Sequence, residues 1–497
     1  MDIQTGPKRD LAKNPQETYQ TTPPVSESAA KPKKDITRHH RPEMAADVGT
    51  DVPCDRLSDL PDAILVSILS LLPLDEAARC TVLAPRWRRL FSSTLLLDFD
   101  ATMPGRLDII GAGNSILAAH PTAPVRSFRA RWRYTPHDKD PSSGGWLQEL
   151  ARRGVEELYL DLDLHHWHQR IPVPLFDCSS LKRLRARACT FPDVPKGRFG
   201  AAPSPPLARL TEIELYRVVI SDAFVNFLLS QCTALELLRK HGRKKCGRVH
   251  VRSPSLKILS SDGNFDKLFI EYAPSLEWLL GEYMYLKGRG SKGVCLKIAH
   301  APKLKFMGYL SMNLQKIEIG KTIFTDHQII VKTLMPSLRT LAIEVCYTYE
   351  GYVDWIKLLN LFPCLEALYI RSQTLSRILG AASESWDVLR HIPCVHNHLE
   401  KVVFEVYRGH EWQQEMAKFL HGRSRVLKAM EFHCMRGSDG GEDRTKPPSV
   451  EWVRKQQELL CLDSRASKDA RLLFFRGQLP FNHWHICHHE WYKRVLR

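Results

Sequence analysis

The sequence predicts an α/β protein: a small N-terminal three-helix module, an irregular repeat solenoid, and a small α/β region that caps the solenoid's end. Three observations carry this. A polar tail gives way after residue 50 to a dense apolar stretch with helical spacing. From about 150 to 370 a Pro-x-Leu-x-x-Leu pattern recurs. After about 375 that pattern stops, and strand-like and helix-like segments alternate.

At 497 residues and 43% hydrophobic content, the chain has material for several cores. Its first thirty residues lack an apolar signal core, and no run of about 18 apolar residues occurs, so neither a secretory leader nor a membrane span is expected. The 13 cysteines are scattered, without a Cys-x-x-Cys pair, as in a reduced protein whose thiols fill cores. Cytoplasm, nucleus or both are the expected locations. Residues 1–50 are rich in Pro, Ser, Thr, Lys and Glu and cannot bury enough apolar surface to offset ordering entropy. They read as a disordered tail, with Lys31-Pro32-Lys33-Lys34 as a weak import-like signal.

In the module at 51–98, Leu60, Ile64, Ile68 and Leu72 recur every fourth position, with Leu65 and Leu69 beside them. That spacing predicts one helix with a broad apolar stripe. Pro61 suits its first position, Ser58 and Asp59 sit where capping acceptors belong, and Pro73 ends it. Asp75 and Glu76 suit the first turn of a second helix, and Pro85 begins a third that carries Trp87 and Leu90. So small a core cannot hide this many large aliphatics, which fits a protein-binding surface and, equally, a helical corner of a larger domain.

Repeat copies lead with Leu256, Leu276, Leu304, Leu338 and Leu365, spaced 20, 28, 34 and 27 residues apart. Less regular copies lie at Leu181–Leu184, Leu207–Leu210 and Leu235–Leu238. Each offers a short strand, such as Leu158-Tyr159-Leu160, Ile213-Glu214-Leu215 or Leu341-Ala342-Ile343. No unit can bury its apolar side alone, so neighbours must stack over 99–375. In 376–497, Leu399 to Phe404 and Val426 to Phe432 read as strands, and Trp412 to Leu420 and Val450 to Leu462 as helices. Residues 436–449 read as a loop, and Leu472 to Phe475 follow as a further apolar run.

The run Arg56, Leu57, Ser58, Asp59, Leu60, Pro61, Asp62, Ile64, Leu65, Ile68, Leu69, Leu72, Pro73, Arg79, Val82, Leu83, Arg86, Trp87, Arg88 resembles the plant F-box. The repeats resemble the degenerate leucine-rich repeats that follow F-boxes in many plant proteins. Leu427-Lys428-x-Met430 and Ala466-Ser467-x-x-Ala470-Arg471 resemble the FBD region at the end of such chains. The resemblance implies the substrate-recognition subunit of an SCF-type cullin ubiquitin ligase, itself non-catalytic and without cofactor. It implies docking on a Skp-type adaptor, and through it on a cullin, by Leu60, Pro61, Ile64, Leu65, Ile68, Leu72, Val82 and Trp87. A target protein of unknown identity would bind the solenoid. Where the family usually has Ser-Lys before Arg-Trp, this chain has Ala84-Pro85. Ala84 cannot cap the third helix, which predicts weaker docking.

No nucleotide-binding, zinc-protease or serine-hydrolase motif occurs, and no spaced Cys/His pairs of a zinc-bearing ligase. His165, His166 and His168, and His483, His485, Cys487, His488 and His489, lack structural-zinc spacing and read as solvated loop and tail residues. The net charge of +16 leaves a second function open, a basic nucleic-acid-associated scaffold. Its candidate is Arg239, Lys240, Arg243, Lys244, Lys245, Arg248, Arg252 and Lys257, with no acid between. No aromatic interleaves there to stack on bases, so the run reads as a solvated face or loop and nucleic acid is not the expected partner. An F-box protein that binds its adaptor without driving degradation is the remaining alternative.

Overall fold

The computed structural model describes residues 57, 59–72, 74–94, 96–99, 118, 124–132, 145–162, 171, 173–194, 207–241, 246–261, 265–281, 294–311, 314–325, 328–345, 356–372, 391–434, 449–460 and 464–476. The expected tail at 1–50, the two histidine clusters and nearly all of the loop at 436–449 lie outside them.

Three short helices come first: α1 (Asp62–Leu71), α2 (Leu74–Cys80) and α3 (Pro85–Phe91). Leu65, Leu69, Ala77, Trp87 and Leu90 form their common core. α1 starts one residue later than the sequence reading: Pro61 is the cap residue itself, and no side chain caps the helix. Backbone N–H groups of Ile64 and Leu65 instead both donate to the Pro61 carbonyl. At α3, Ala84 is the cap residue without a side-chain bond and Pro85 takes the first helical position, as its fixed φ favours.

Fourteen strands of the described residues then form one sheet, all parallel and in chain order. The first six are β1 (Leu96–Phe99), β2 (Ser127–Trp132), β3 (Glu157–Leu162), β4 (Arg183–Arg187), β5 (Glu212–Tyr216) and β6 (Leu237–His241). The chain continues with β7 (Cys246–Arg252), β8 (Ile258–Ser261), β9 (Phe265–Tyr272), β10 (Trp278–Gly281), β11 (Val294–Ile298) and β12 (Phe306–Ser311). Of these, β8, β10 and β12 extend the large sheet. A six-stranded sheet takes β7, β9, β11, β13 (Leu314–Ile319), β14 (Thr322–Thr325) and β15 (Gln328–Ile330). Between 246 and 319 each repeat therefore gives a strand to both sheets. Val249, Leu268, Leu296 and Ile317 from one, and Leu259, Leu279 and Met307 from the other, bury the space between them. The large sheet ends with β16 (Thr340–Val345), β17 (Ala367–Ser372), β18 (Lys401–Tyr407), β19 (Ala429–Cys434) and β20 (Arg471–Arg476). Elsewhere helices back it: α4 (Trp146–Arg152), α5 (Asp222–Gln231), α6 (Pro393–Asn397), α7 (Glu411–Arg423) and α8 (Val450–Leu459).

The repeat's chemistry explains the stacking. In Ala273-Pro274-Ser275-Leu276 and Ala301-Pro302-Lys303-Leu304 the fourth residue's N–H donates to the first residue's carbonyl, and the Met335 and Phe362 turns repeat this. Proline sits second, where a tight turn wants φ near −65°. The turn drives the leading leucine inward: Leu256, Leu276, Leu304, Leu338 and Leu365 are all fully buried. The residue after it donates across to the preceding repeat. The Glu277 carbonyl, for example, accepts from both Lys305 and Phe306, and the Lys305 carbonyl from Arg339 and Thr340. Where neighbours at this position are oppositely charged they form ion pairs, among them Lys182–Glu156 (2.8 Å), Lys257–Glu236 (2.9 Å), Lys305–Glu277 (2.9 Å) and Lys428–Glu400 (2.7 Å).

The parallel sheet runs on past the expected end of the repeats near 375. Leu399-Glu400 and Leu427-Lys428 occupy the leading-leucine and charged positions of two further units, and β18, β19 and β20 continue the same parallel sheet. Leu427 accordingly lies in the turn, and β19 starts at Ala429 rather than Val426. The described cysteines Cys178, Cys189, Cys232, Cys394 and Cys434 are free and buried. Burial pushes the thiols of Cys178, Cys232, Cys394 and Cys434 up to about 12, so they stay protonated packing groups.

Candidate interaction surfaces

The three-helix module divides the eight sequence-chosen residues by exposure. Leu65 and Trp87 point into its core. Leu60, Ile68 and Leu72 are half-buried against that core. Pro61, Ile64 and Val82 are exposed. Two residues outside those eight are among the most exposed aliphatics: Leu71 at 84% and Leu83 at 68%, beside Val82 at 83%. Leu71 falls off the every-fourth-residue stripe, and its lying on the helix's wet side was the available signal. Val82 and Leu83 are held in the α2–α3 connection by backbone bonds to the Arg79 and Cys80 carbonyls. A module with a closed core and apolar residues left outside has surface to bury against a partner.

The second surface is the large sheet's face opposite the core, where alternation sends every second strand residue. It changes character along the chain. On β3 to β6 it is ionic: Arg183 pairs with Glu157, Arg187 with Asp161 (3.7 Å), and Glu214 lies between Arg185 (3.5 Å) and Arg239 (3.7 Å). On β8 to β17 it is apolar, with Leu280, Phe306, Tyr309 and Ala342 as a small cluster and Trp278 stacked on Phe306 at 5.1 Å. On β17 to β19 charges return. Arg371 lies over the Tyr309 ring at 3.9 Å and pairs with Glu405 at 2.7 Å, while Tyr309 donates its hydroxyl to Glu405. Burial opposes the Arg371 charge, but Glu405, Tyr309 and Glu344 outweigh it and hold the guanidinium above its ordinary value. Hydrogen bonds from His433 and Lys401 keep the Glu431 carboxyl below its ordinary value, against the pull of desolvation.

The basic run at 239–257 is not one patch, which corrects its reading as a solvated face or loop. It spans β6 and β7, in different sheets. Arg239 is buried beside Glu214, and Lys240 is buried with its ammonium 6.0 Å from the Phe265 ring centre. Arg248 and Arg252 lie exposed on the small sheet, where Arg252 pairs with Glu271. Lys257 belongs to the ion-pair ladder through Glu236. Arg243, Lys244 and Lys245 lie outside the described residues. Among the described residues no group of three or more His, Cys, Asp or Glu side chains is arranged to hold a metal, and no helix is long and apolar enough to cross a membrane.

Comparison with known proteins follows the same divisions. Residues 57–98 match the F-box domain, residues 143–370 match the LRR repeats of the FBD-associated F-box protein At5g56370, and residues 390–432 match FBD. The chain is 27% identical over 459 residues to the F-box/FBD/LRR-repeat protein At3g52680 of Arabidopsis thaliana, covering 84% of this chain and 93% of that one. It is 28% identical over 317 residues to the F-box/LRR-repeat protein At3g26922 of the same plant, covering 61% and 97%. The F-box/FBD/LRR-repeat protein At1g13570, also from Arabidopsis thaliana, is 28% identical over 230 residues, covering 45% and 52%. An F-box, leucine-rich repeats and an FBD thus follow one another in this chain, the three parts for which its relatives among the plant F-box/FBD/LRR-repeat proteins are named.

Proposed function

We propose that this chain is the substrate-recognition subunit of an SCF-type cullin ubiquitin ligase. The observation that supports it is apolar surface left over on a small module whose core is already complete: Ile64, Leu71, Val82 and Leu83 stand exposed around Leu65, Leu69 and Trp87. A Skp-type adaptor would bury them, and the cullin would be reached through that adaptor. Of the eight residues first chosen, Leu60, Pro61, Ile64, Ile68, Leu72 and Val82 would make contact, while Leu65 and Trp87 would hold the helices that present them. We divide the chain into a tail (1–50), the F-box (51–98), a leucine-rich-repeat solenoid (99–375) and an FBD-like region (376–497) that builds its strands onto the same sheet. The site of action is the cytoplasm, the nucleus or both.

The subunit's part in the chemistry is proximity. Holding a target lysine near the donor thioester turns a bimolecular step into an effectively unimolecular one, with no catalytic residue or cofactor of its own. Co-purification of the full chain with a Skp-type adaptor tests the reading. Wild type should be retained at high salt because the contact is apolar. Ile64→Asp and Val82→Asp, both at exposed positions, should each weaken retention about tenfold or more by burying an unpaired charge. Wild type failing to bind where a standard F-box binds would end the proposal.

A further inference from the structure

β4 carries arginine at every outward position: Arg183, Arg185 and Arg187, with Leu184 and Ala186 facing the core. Carboxylates neighbour all three, yet they sit lower. The side chains of Arg183, Arg185 and Arg187 are 46%, 52% and 39% exposed, against 26%, 24% and 13% for their partners Glu157, Glu214 and Asp161. A guanidinium has five N–H donors, and one carboxylate engages at most two. The acids therefore fix the arginines in place and leave their outer donors facing solvent. A visitor to this face meets guanidinium first.

At the end of the row a second device adds to it. The Arg187 and Arg217 guanidiniums both lie over the Tyr216 ring, at 5.1 and 5.4 Å from its centre. Arg217 has φ +53°, a left-handed conformation that favours glycine; the preceding repeat has Ala188 at φ +55° in the same place. In both, the N–H donates to the next strand, Ala188 to the Tyr216 carbonyl and Arg217 to that of His241. Nothing in the backbone calls for an arginine there. Its side chain puts a second guanidinium against the Tyr216 ring.

We infer that this arginine row on β4, completed by Arg217, docks an extended acidic segment of the target protein with an Asp or Glu at every second residue. This rests on the ligase-subunit reading above and names the chemistry of what that subunit recognises. Residues i, i+2 and i+4 of a strand project about 6.7 Å apart on one face, the same spacing as alternate side chains of an extended peptide. Three guanidiniums in line thus match three carboxylates in line, each pair in fork geometry. A nucleic acid fits less well. The guanidiniums over Tyr216 occupy the ring a base would stack on.

The test uses the full chain mixed with a Skp-type adaptor and a fluorescently labelled peptide of alternating Glu and Ala, read by anisotropy. The Glu peptide should bind about tenfold or more tightly than its Gln counterpart, and salt should weaken it. Arg185→Glu and Arg217→Gly should each lose about tenfold. Arg217→Gly relieves the left-handed backbone, so its thermal midpoint should hold or rise while binding falls; this separates lost recognition from lost folding. Equal affinity for the Gln peptide, unchanged affinity of Arg217→Gly, or tighter binding of a short DNA duplex would each overturn the inference. Adaptor retention is scored on the same samples. Retention without peptide binding sinks only this inference, and peptide binding without retention sinks only the ligase reading.

Discussion

Arg86 of α3 reaches back to Asp62 at the start of α1, its Nε and Nη2 donating to one carboxylate oxygen at 2.8 and 2.6 Å, and the same Nη2 donates to the Leu60 carbonyl at 2.7 Å. One side chain thus clamps the two helices that bring Leu65 and Trp87 together. The ion pair is largely solvated, so most of its worth comes from the part-buried backbone contact. Arg86→Ala should cost the module about 1 kcal/mol. Faster amide exchange in α1 and α3, with the β-sheet unchanged, is the readout; exchange spread evenly over the chain would refute a local clamp.

Ala84→Ser should act in the opposite direction. Ala84 caps α3 with an extended backbone (φ −161°, ψ 159°) and no side-chain bond. A serine hydroxyl there can accept from an orphan N–H of the first turn, worth about 1 kcal/mol. Tighter adaptor binding together with slower exchange in α3 is expected.

Leu338 is the leading leucine of its repeat and fully buried. Leu338→Ala should lower unfolding free energy by about 2–5 kcal/mol, because stacked turns on both sides limit collapse into the gap. Denaturant unfolding would measure it, and a loss below 1 kcal/mol would mean that the turn relaxes to fill the space.

Gly409 turns the chain from β18 into α7 at φ +72°. A Cβ there would lie 2.7 Å from Gln456 Oε1, which accepts from the Tyr407 hydroxyl and the Gln414 amide at 3.0 Å each. Gly409→Ala combines a left-handed alanine with displacement of that buried amide. It should cost about 2 kcal/mol or more and raise protease sensitivity between β18 and α8.

His421 of α7 is buried, and its Nε2–H donates to the Leu460 carbonyl at 3.0 Å. Burial lowers its pKa; the Leu460 bond opposes this, and Arg465 and Lys418 add to the lowering. The folded state therefore binds this proton less readily than the unfolded chain, whose histidine titrates near 6.5. The contribution is complete above that value and is lost as pH falls through the window below it. His421→Gln keeps a donor without a titration, so its thermal midpoint should fall less than the wild type's between pH 7.5 and 5.5, a span about one unit either side of the unfolded value.

The alternation within a strand was readable from residues two apart. So were the Pro-x-Leu-x-x-Leu turns and the apolar stripe of α1, because each depends on contacts within one turn of chain. Val249 and Val251 of β7 alternate inward as cleanly as any strand, but Arg248 and Arg252 flank them and give the run the composition of a charged loop. The FBD strands were legible one by one, while their joining the repeat sheet was not: Leu399-Glu400 and Leu427-Lys428 lack the proline that marks earlier units.

The amino-acid order by itself determined the local units: which leucines a turn forces inward, the start of α3 at Pro85 without a side-chain cap, and the three-helix module ahead of the repeats. Only the tertiary structure decided which aliphatics of α1 stay wet, that Arg239 and Arg248 part to different sheets, and that Glu214 lies between Arg185 and Arg239. The reason is physical. Lateral neighbours in a parallel sheet are separated by a whole repeat of variable length, so their pairing is fixed by how the cores stack and not by any spacing along the chain.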